Sequence, residues 1–374
     1  MEADRTPNGV VVLYSGDERL YACEHERATR TGIARRLATL KGFEFGGMYE
    51  ASARYPAPLY FVPSDTLVGQ DLPNELGIRD EHDLFGGIVP FAFVATKALT
   101  HPLIGPDARA PAGWSHEFGC RVREAVHAGW SAFSIADARR AGLRLLEKGP
   151  VRLKPVRATG GGGQVVVRAE AELEAALDAM EPSEVEGHGL VLEEHLSHVV
   201  TFSVGQVRVS DLAAAYHGTQ QLTRDNTGRE VYGGSRLVCA RGGFEALLGL
   251  DLPEDVRLAV AQARAYDAAA VACFPGLIAS RRNYDVLRGL DGEGGRRSGV
   301  LEQSWRVGGA SGAEVAALEA FRADPALRTV RTSTVEVYGE GVPPPPHAIV
   351  YFRGVDDQVG PITKYAMVEA NGNA

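Results

Sequence analysis

The sequence has few cysteines, and their spacing excludes two common uses of this residue. Only four occur among 374 residues, and no pair forms a CxxC motif or shows the spacing of a zinc finger. Scattered cysteines are typical of unpaired thiols in a reducing compartment, so we expect no disulfide framework. The four residues are Cys23, Cys120, Cys239 and Cys273.

Long apolar runs and an excess of positive charge are also lacking. The longest apolar candidate, residues 88–95, is too short for a membrane span, and the run at 10–14 is too short for a signal-peptide core. Lys and Arg total 39 against 48 for Asp and Glu, which gives a net charge of −9. No global field would draw this chain to nucleic acid or to a membrane, so we expect neither partner and predict a cytoplasmic protein.

Two common nucleotide-binding motifs are missing as well. The sequence contains no GxxxxGK[ST] P-loop, and its GGASG run at 308–312 lacks the GxGxxG spacing of a dinucleotide fold. A Rossmann oxidoreductase is therefore only a weak alternative. Glycine itself is abundant, at 44 of 374 residues, well above the usual share of about 7%.

The order of the predicted elements indicates an α/β chain. Its length of 374 residues predicts about two to three domains. A strand at 10–15, a helix at about 24–40 and a strand at 59–62 predict a small α/β domain with a partly parallel sheet. Further on, we predict a helix at 135–148, strands at 151–156 and 165–168, and a helix at 170–180.

The loop between strands 151–156 and 165–168 contains four successive glycines. Because Gly160, Gly161, Gly162 and Gly163 lack side chains, several backbone N–H groups there could face an anion such as phosphate. Lys154 precedes this loop, and its ammonium could reach the same anion as a point charge. The alternative explanation is a solvated lysine beside a glycine-rich hairpin that has no function.

Two acids lie on the strands of a hairpin that we predict from residues 283–287 and 299–305. Asp285 is on the first strand, while Glu302, Ser304 and Arg306 share one face of the second. Facing acids repel each other unless a cation lies between them, and Mg²⁺ prefers such hard oxygen ligands. The alternative is a pair of solvated surface acids.

The lysine, the glycine loop and the hairpin acids, in this order, resemble the ATP-grasp superfamily of carboxylate–amine ligases and biotin carboxylases. The motifs are Val-Arg-Leu-Lys-Pro, then Gly-Gly-Gly-Gly-Gln-Val-Val-Val, then Glu-Gln-Ser-Trp-Arg. The resemblance implies that Lys154 contacts the α- and β-phosphates of ATP and that Gly160 to Gly163 close over the triphosphate. It also implies that Lys97 is the second, earlier lysine of the nucleotide site.

Residues 190–196, Leu-Val-Leu-Glu-Glu-His-Leu, are similar to the strand that meets adenine in this superfamily. The resemblance implies that Glu193 lies near the adenine amino group and that the backbone of Glu194 and Leu196 pairs with the ring edge. A second acid for the ribose is missing, and Thr201 occupies the corresponding region. A buried strand with a polar end is the alternative interpretation.

The resemblance also implies roles for the residues of the predicted hairpin. Asp285 and Glu302 would bind Mg²⁺ or Mn²⁺, and Ser304 replaces the usual Asn and offers a shorter oxygen ligand. Arg306 would face the transferring phosphoryl group or a substrate carboxylate. Further substrate candidates are Arg281, Gly308, Gly309 and Ser311, while Arg282, His217 and Arg236 are weaker candidates for the same cleft.

The implied fold is ATP-grasp, of α/β and α+β class, preceded by a small Rossmann-like (pre-ATP-grasp) α/β domain. We place that domain at residues 1–96 and the ATP-grasp region at 97–325. Within the latter, 97–190 includes the lid and 191–325 is the catalytic subdomain. Residues 326–374 would form a β-rich tail that completes the sheet.

The implied function is that of an ATP- and Mg²⁺-dependent, ADP-forming ligase. It would convert a small-molecule carboxylate into an acyl phosphate that an amine or another nucleophile captures. A biotin-carboxylase-type carboxylation ranks second, and an inactive ATP-binding regulatory module is the alternative from another class. Ligases of this architecture are often dimers, which leaves a homodimer open.

Overall fold

A three-stranded parallel sheet forms the N-terminal part of the chain. The computed structural model describes residues 8–16, 23–55, 58–157, 163–340 and 343–372. The first elements are β1 (Val10–Tyr14), α1 (Glu24–Lys41), β2 (Glu44–Met48) and β3 (Leu59–Pro63). Strand β1 is central and pairs in parallel with both neighbours. The predicted α/β unit is confirmed, whereas β2 carries no β-branched residue and its pattern does not predict a strand.

Short elements connect this sheet to the rest of the chain. They are β4 (Leu67–Val68), α2 (Asp71–Leu76), β5 (Gly87–Val89), 3-10 turns at Ala92–Ala95 and Lys97–Leu99, and α3 (His116–Arg121). The side chain of Thr96 accepts a hydrogen bond from the N–H of Ala98 and so caps the second turn. Strand β5 pairs with β4 and with a two-residue strand much later in the chain, Ile278–Ala279. Residues from the two halves of the chain therefore share this small sheet.

A four-stranded sheet follows, with the strand order β6-β9-β7-β8. Its elements are β6 (Gly129–Ala132), α4 (Ile135–Leu146), β7 (Val151–Pro155), β8 (Val165–Val167), α5 (Glu170–Asp178), α6 (Pro182–His188) and β9 (Leu190–Glu194). Helix α4 begins as its sequence predicts, because the Ser134 hydroxyl accepts the N–H of Asp137 at 3.1 Å and satisfies one terminal donor. The predicted order of helix, strand, strand and helix is confirmed by α4, β7, β8 and α5, and most of the loop between the two strands lies outside the described residues.

An eight-stranded sheet, with the order β15-β14-β10-β11-β12-β16-β18-β17, is the largest unit. The elements in and around it are β10 (Ser197–Val209), β11 (Leu212–Arg224), β12 (Glu230–Arg241), α7 (Phe244–Leu248), α8 (Glu254–Cys273), β13 (Ile278–Ala279), β14 (Arg281–Leu290), β15 (Arg296–Ser304), α9 (Ser311–Ala323), β16 (Thr329–Tyr338), β17 (Ile349–Asp356) and β18 (Gly360–Gly372). All described pairs in it are antiparallel, including the predicted β14–β15 hairpin.

The sequence pattern predicts two β-rich runs in the C-terminal tail, one on each side of the proline tract at 343–346. The structure differs from this prediction. Three strands are present, because residues after the tract form a hairpin of β17 and β18. The Asp356 carboxylate accepts the N–H groups of Gln358 and Val359, and Gly360 has a φ of 78°, which favours glycine. This turn divides the second predicted β-rich run into β17 and β18. Together with β16, these strands lie in the large sheet.

Helices cover both faces of the large sheet and create two cores. Side chains of α8, such as Val260 and Tyr266, pack with Val204 and Val286 on one face. On the other face, α1 and α9 pack together against β10, β11 and β12. Helix α1 thus joins the N-terminal sheet to the large sheet. None of the helices in the described ranges has the length and apolar character that a membrane span needs.

A buried ion pair connects β14 to the start of α9. The guanidinium of Arg281 donates to both carboxylate oxygens of Glu314, at 2.9 and 2.8 Å, and both side chains are almost fully enclosed. Tyr216 donates its hydroxyl to the same carboxylate at 2.5 Å. Burying two charges is favourable only when hydrogen bonds satisfy them, as they do here.

We predict that Glu314→Ala lowers the free energy of unfolding by about 3–5 kcal/mol, because it leaves a buried guanidinium unpaired. Denaturant unfolding followed by circular dichroism measures the change. Glu319→Ala is the matched control on the same helix, since the pair of Glu319 with Arg36 is partly exposed, and it should cost less than about 1 kcal/mol. Equal losses in the two variants would contradict this interpretation.

Candidate active site

The two hairpin acids face each other at one edge of the large sheet. Asp285 on β14 lies directly opposite Glu302 on β15, and the regular register ends immediately after Asp285. Burial and the negative charge of Glu302 raise the pKa of Asp285 to about 6, although hydrogen bonds from Gln220 and Asn283 act in the opposite direction. The two carboxylates therefore repel each other. Hard oxygen donors in this arrangement fit a divalent cation such as Mg²⁺.

Lys97 lies beside this acid pair. Its Nζ is 3.6 Å from Oε2 of Glu302, and its side chain is only 12% exposed. Two hydrogen bonds fix the segment that carries it: Gln303 donates its amide to the Thr96 carbonyl at 2.9 Å, and Thr100 donates its hydroxyl to the Leu301 carbonyl at 3.0 Å. Strand β15 thus supplies the acid and positions the lysine that accompanies it.

Lys154 lies in a separate, fully enclosed ionic cluster. Its Nζ is 2.5 Å from Oε2 of Glu193 on β9, and neither side chain is more than 9% exposed. The Nε2 atoms of His101 and His127 approach the two carboxylate oxygens of Glu193 at 3.1 and 3.3 Å. Burial acts to raise the pKa of Glu193, but Lys154 and the imidazoles hold it well below its usual range. The sequence pattern does not identify either histidine.

The same cluster has the composition of a metal site, with His101, His127 and Glu193 as the three ligand residues. A divalent cation there would meet the ammonium of Lys154, which already contacts Glu193. Two cations in one buried cluster repel each other strongly. We therefore interpret these residues as the groups that position Lys154 and balance its charge. The ring of His101 also requires Gly129, where a Cβ atom would lie 2.8 Å from the ring.

The residues proposed to meet adenine are arranged differently from our expectation. Lys154 and the two histidines enclose the Glu193 carboxylate. Its ion-pair partners are therefore buried side chains of the protein itself. The N–H of Glu194 donates to the Ala128 carbonyl at 3.0 Å. Leu196 is buried, and Thr201 lies opposite Leu287 on β14. Gly160, Gly161 and Gly162 lie outside the described residues, and Gly163 has a φ of 66°.

Arg281 is a correction to the substrate candidates. It is 1% exposed, and besides its pair with Glu314 it donates to the carbonyls of Ser304 and Arg306 at 3.1 and 2.6 Å. Its side chain also donates to the Ser304 hydroxyl at 3.3 Å, so the serine proposed as a metal ligand already accepts a hydrogen bond. Arg281 therefore holds the end of β15 in place and does not face a cleft.

The other substrate candidates share a loop after β15. Arg306 is 40% exposed, and its Nε lies 3.5 Å from Oδ1 of Asp65 in the N-terminal part. Gly308 donates its N–H to the hydroxyl of the buried Ser311 at 3.0 Å, so this serine stabilises the loop. Arg306 and Gly309 line a cavity of about 400 Å³. The structure thus brings these two residues together at an open surface.

The weaker substrate candidates, His217, Arg236 and Arg282, do not lie beside the acid pair. His217 is opposite Val204 and Arg236 is opposite Thr219, which places both on the face of the sheet opposite Asp285. Arg282 lies between Asp267 and Glu81, at 3.5 and 4.0 Å, and is 18% exposed. Successive side chains of a strand point to opposite faces of the sheet, which separates these side chains from the acid pair. The strand register that determines this is not visible in the sequence.

A family model described as "Protein of unknown function (DUF3182)" matches residues 12–366. The chain belongs to this family. No curated protein matches its sequence. Among solved structures, N5-carboxyaminoimidazole synthetase from Staphylococcus aureus in complex with ADP is 10% identical, with a TM-score of 0.54 over 98% of this chain and 94% of that one.

A second structure of the same enzyme supports the same fold. N5-carboxyaminoimidazole synthetase from Staphylococcus aureus in a second structure is 12% identical, with a TM-score of 0.50 over 96% of this chain and 93% of that one. A biotin carboxylase complex from Campylobacter jejuni is 12% identical, with a TM-score of 0.49 over 96% and 87%. The fold of this DUF3182 member is ATP-grasp, as its motifs predict.

We predict that Asp285→Asn raises the melting temperature of the metal-free protein by about 2–5 °C. A carboxyl whose folded pKa is raised makes the folded state less stable once pH exceeds its unfolded value, and the full penalty is present above about pH 6. Thermal unfolding at pH 7.5 without divalent cations measures this gain. Asp291→Asn is the control with the opposite sign, because hydrogen bonds from Gly295 and Glu293 lower the pKa of Asp291.

A second prediction concerns His101. Burial lowers its pKa despite the neighbouring Glu193, so the unfolded chain binds this proton more readily and stability falls as pH drops below about 6.5. Replacing the imidazole by an amide in His101→Asn should make the melting temperature decline less between pH 7.5 and 5.5. Thermal scans at several pH values measure the two slopes. An unchanged slope would show that folding does not lower the pKa of His101.

Proposed function

We propose that the protein is an ATP- and Mg²⁺-dependent ligase that activates a small-molecule carboxylate as an acyl phosphate for an amine or another nucleophile. The observation that carries this proposal is the opposed pair Asp285 and Glu302 with Lys97 at its side. Two opposed acids with a lysine at their side are suited to a metal ion and to phosphate oxygens. The ATP-grasp fold supports ligase chemistry of this general type.

The proposed assignments combine the family resemblance with the contacts of those residues that the structure describes. Asp285 and Glu302 would hold Mg²⁺ or Mn²⁺, and Ser304 is the weakest of the three proposed ligands because Arg281 already donates to it. Lys97 and Lys154 would bind phosphate oxygens. Further proposed ATP contacts, made through backbone or short side chains, are Gly160, Gly161, Gly162, Gly163, Glu194, Leu196 and Thr201.

The chain's own residues contribute mainly charge and orientation. Bound MgATP would supply the phosphoryl group that the carboxylate accepts. Lys97 and Lys154 would balance the negative charge of the phosphates, and Arg306 would stabilise charge that develops at the transferred group. Glu193 would keep Lys154 aligned until phosphate oxygens compete for its ammonium. Arg306 and Gly309, which line one cavity, would orient the carboxylate.

An inactive ATP-binding module is the second candidate. It is favoured by one observation, the hydrogen bond from Arg281 to Ser304 at the place of a usual metal ligand. The biotin-carboxylase alternative gains nothing from the comparison with that enzyme, whose TM-score is below 0.5. A cytoplasmic location, a nucleophilic acceptor and a homodimer stay predictions.

Nucleotide binding provides the first test. With Mg²⁺ and a non-hydrolysable ATP analogue at about 100 times its dissociation constant, the native state should gain roughly 2.7 kcal/mol, which thermal unfolding detects as a higher melting temperature. Lys97→Met and Lys154→Met should each reduce this shift by at least half, measured against their own ligand-free melting temperatures. Asp285→Asn should remove the part of the shift that depends on Mg²⁺.

Lys148→Met is the matched control, since Lys148 is an exposed lysine at the end of α4, and its shift should equal that of the wild type. NAD⁺ in place of the ATP analogue should give no shift. If the ATP analogue has no effect on the wild type, the ligase proposal fails. If it binds but ATP is never turned over with any carboxylate and amine, the inactive module is the better description.

A further inference from the structure

Asn283 is a buried asparagine beside the hairpin acids. It precedes Asp285 on β14 by two residues, so strand alternation places both side chains on the same face of the sheet. Across the hairpin, Ser304 lies opposite Asn283, just as Glu302 lies opposite Asp285. Asn283 is only 8% exposed. Its amide is therefore enclosed next to the three residues proposed as metal ligands.

Three polar groups surround this amide. In the orientation that the structure shows, Nδ2 of Asn283 donates to Oδ1 of Asp285 at 3.2 Å. The amide oxygen lies 2.7 Å from the Ser203 hydroxyl and 2.8 Å from the Tyr216 hydroxyl, and both of these side chains are buried. Gly205 makes room for Tyr216, since a Cβ atom at this glycine would lie 2.4 Å from the hydroxyl. The hydrogen bonds of the amide thus depend on these buried groups.

The Tyr216 hydroxyl lies between two oxygen atoms but has a single hydrogen. The Glu314 carboxylate, at 2.5 Å, is the stronger acceptor, because its pair with Arg281 keeps it ionised. The hydrogen therefore points to Glu314. No hydrogen then lies between the Tyr216 oxygen and the amide oxygen of Asn283, which are 2.8 Å apart. Two oxygens in contact without a hydrogen repel each other.

The opposite orientation of the amide removes this repulsion. With its oxygen and nitrogen exchanged, the two N–H groups of Asn283 donate to the oxygens of Ser203 and Tyr216. The amide oxygen then faces the Asp285 carboxylate across the same 3.2 Å, a contact that needs a hydrogen or a cation. Neighbouring ligands of an octahedral Mg²⁺, each about 2.1 Å from the ion, lie about 3 Å apart. The separation therefore fits two ligands of one ion.

We infer that Asn283 is a metal-ligating residue, whose amide oxygen binds the same divalent cation as Asp285 in place of the proposed ligand Ser304. The Ser304 hydroxyl already accepts a hydrogen bond from Arg281, whereas the turned amide of Asn283 is held by two buried hydroxyls and leaves its oxygen for the ion. The inference rests on the proposed function, because it requires the metal ion of the proposed nucleotide site. Binding of the cation turns the amide from a donor to Asp285 into a ligand.

Mn²⁺ makes this ligand visible by spectroscopy. The full chain, labelled with ¹³C at the side-chain carbonyl of asparagine, is loaded with Mn²⁺ alone and with Mn²⁺ and the non-hydrolysable ATP analogue. Electron–nuclear double resonance then measures the coupling between ¹³C and the electron spin of the metal. We expect the coupling of a directly bound amide carbonyl in the wild type and in Ser304→Ala, and none in Asn283→Leu. This coupling reports coordination and does not depend on stability or activity.

Asn283→Leu should also raise the dissociation constant for Mn²⁺, measured from the electron paramagnetic resonance signal of the free ion, at least about tenfold. Asn74→Leu is the matched control, because Asn74 is an exposed asparagine of α2, and it should leave this constant unchanged. Ser304→Ala should leave it nearly unchanged. If Asn283→Leu does not fold, Asn283→Ala replaces it.

A wild-type protein that binds Mn²⁺ without the ¹³C coupling, or that binds no Mn²⁺, overturns the inference. A coupling that persists in Asn283→Leu or disappears in Ser304→Ala overturns it as well. The expected coupling together with an absent thermal shift for the ATP analogue would instead count against the ligase alone.

Discussion

The buried pair of Arg281 and Glu314 determines the geometry on which the rest of the candidate site depends. Its guanidinium uses two donors for the carboxylate and others for the carbonyls of Ser304 and Arg306. One side chain thereby connects β14, the end of β15 and the first turn of α9. The direction in which Arg306 leaves the sheet follows from this connection. A charge that cannot reach solvent is a strong positional constraint, because moving any partner leaves it unsatisfied.

Two other clusters of charge differ in their balance. At Glu193 the anion is matched by Lys154 and two imidazoles within a closed interior, so the cluster is nearly neutral without any ligand. At Asp285 and Glu302 two acids face each other with Lys97 at their side, and burial and Glu302 raise the pKa of Asp285. The acid of the first cluster is thus matched by a cation, whereas the second cluster contains a repulsion that a divalent cation would relieve.

The sequence predicts those features that depend on local pattern or on motif order. The cap at Ser134, the β14–β15 hairpin and the opposition of Asp285 to Glu302 follow from spacing alone, and the order of motifs predicts the ATP-grasp fold. The role of Arg281 is not predictable in this way, since an arginine on a strand is usually exposed and its partner Glu314 is 33 residues away. His101 and His127 are likewise separated in sequence from Glu193, so only the packing of β6 and β9 reveals their contact.

The N-terminal helix and the C-terminal strands line the same cavity. Helix α1 packs on α9 and β17, so Glu26 reaches Lys364 on β18, which also contacts Glu336 on β16. Arg306 lines this cavity, and its contact with Asp65 comes from the N-terminal part of the chain. Residues from both halves of the chain therefore line the cavity. Their relative positions depend on the packing of α1 against α9.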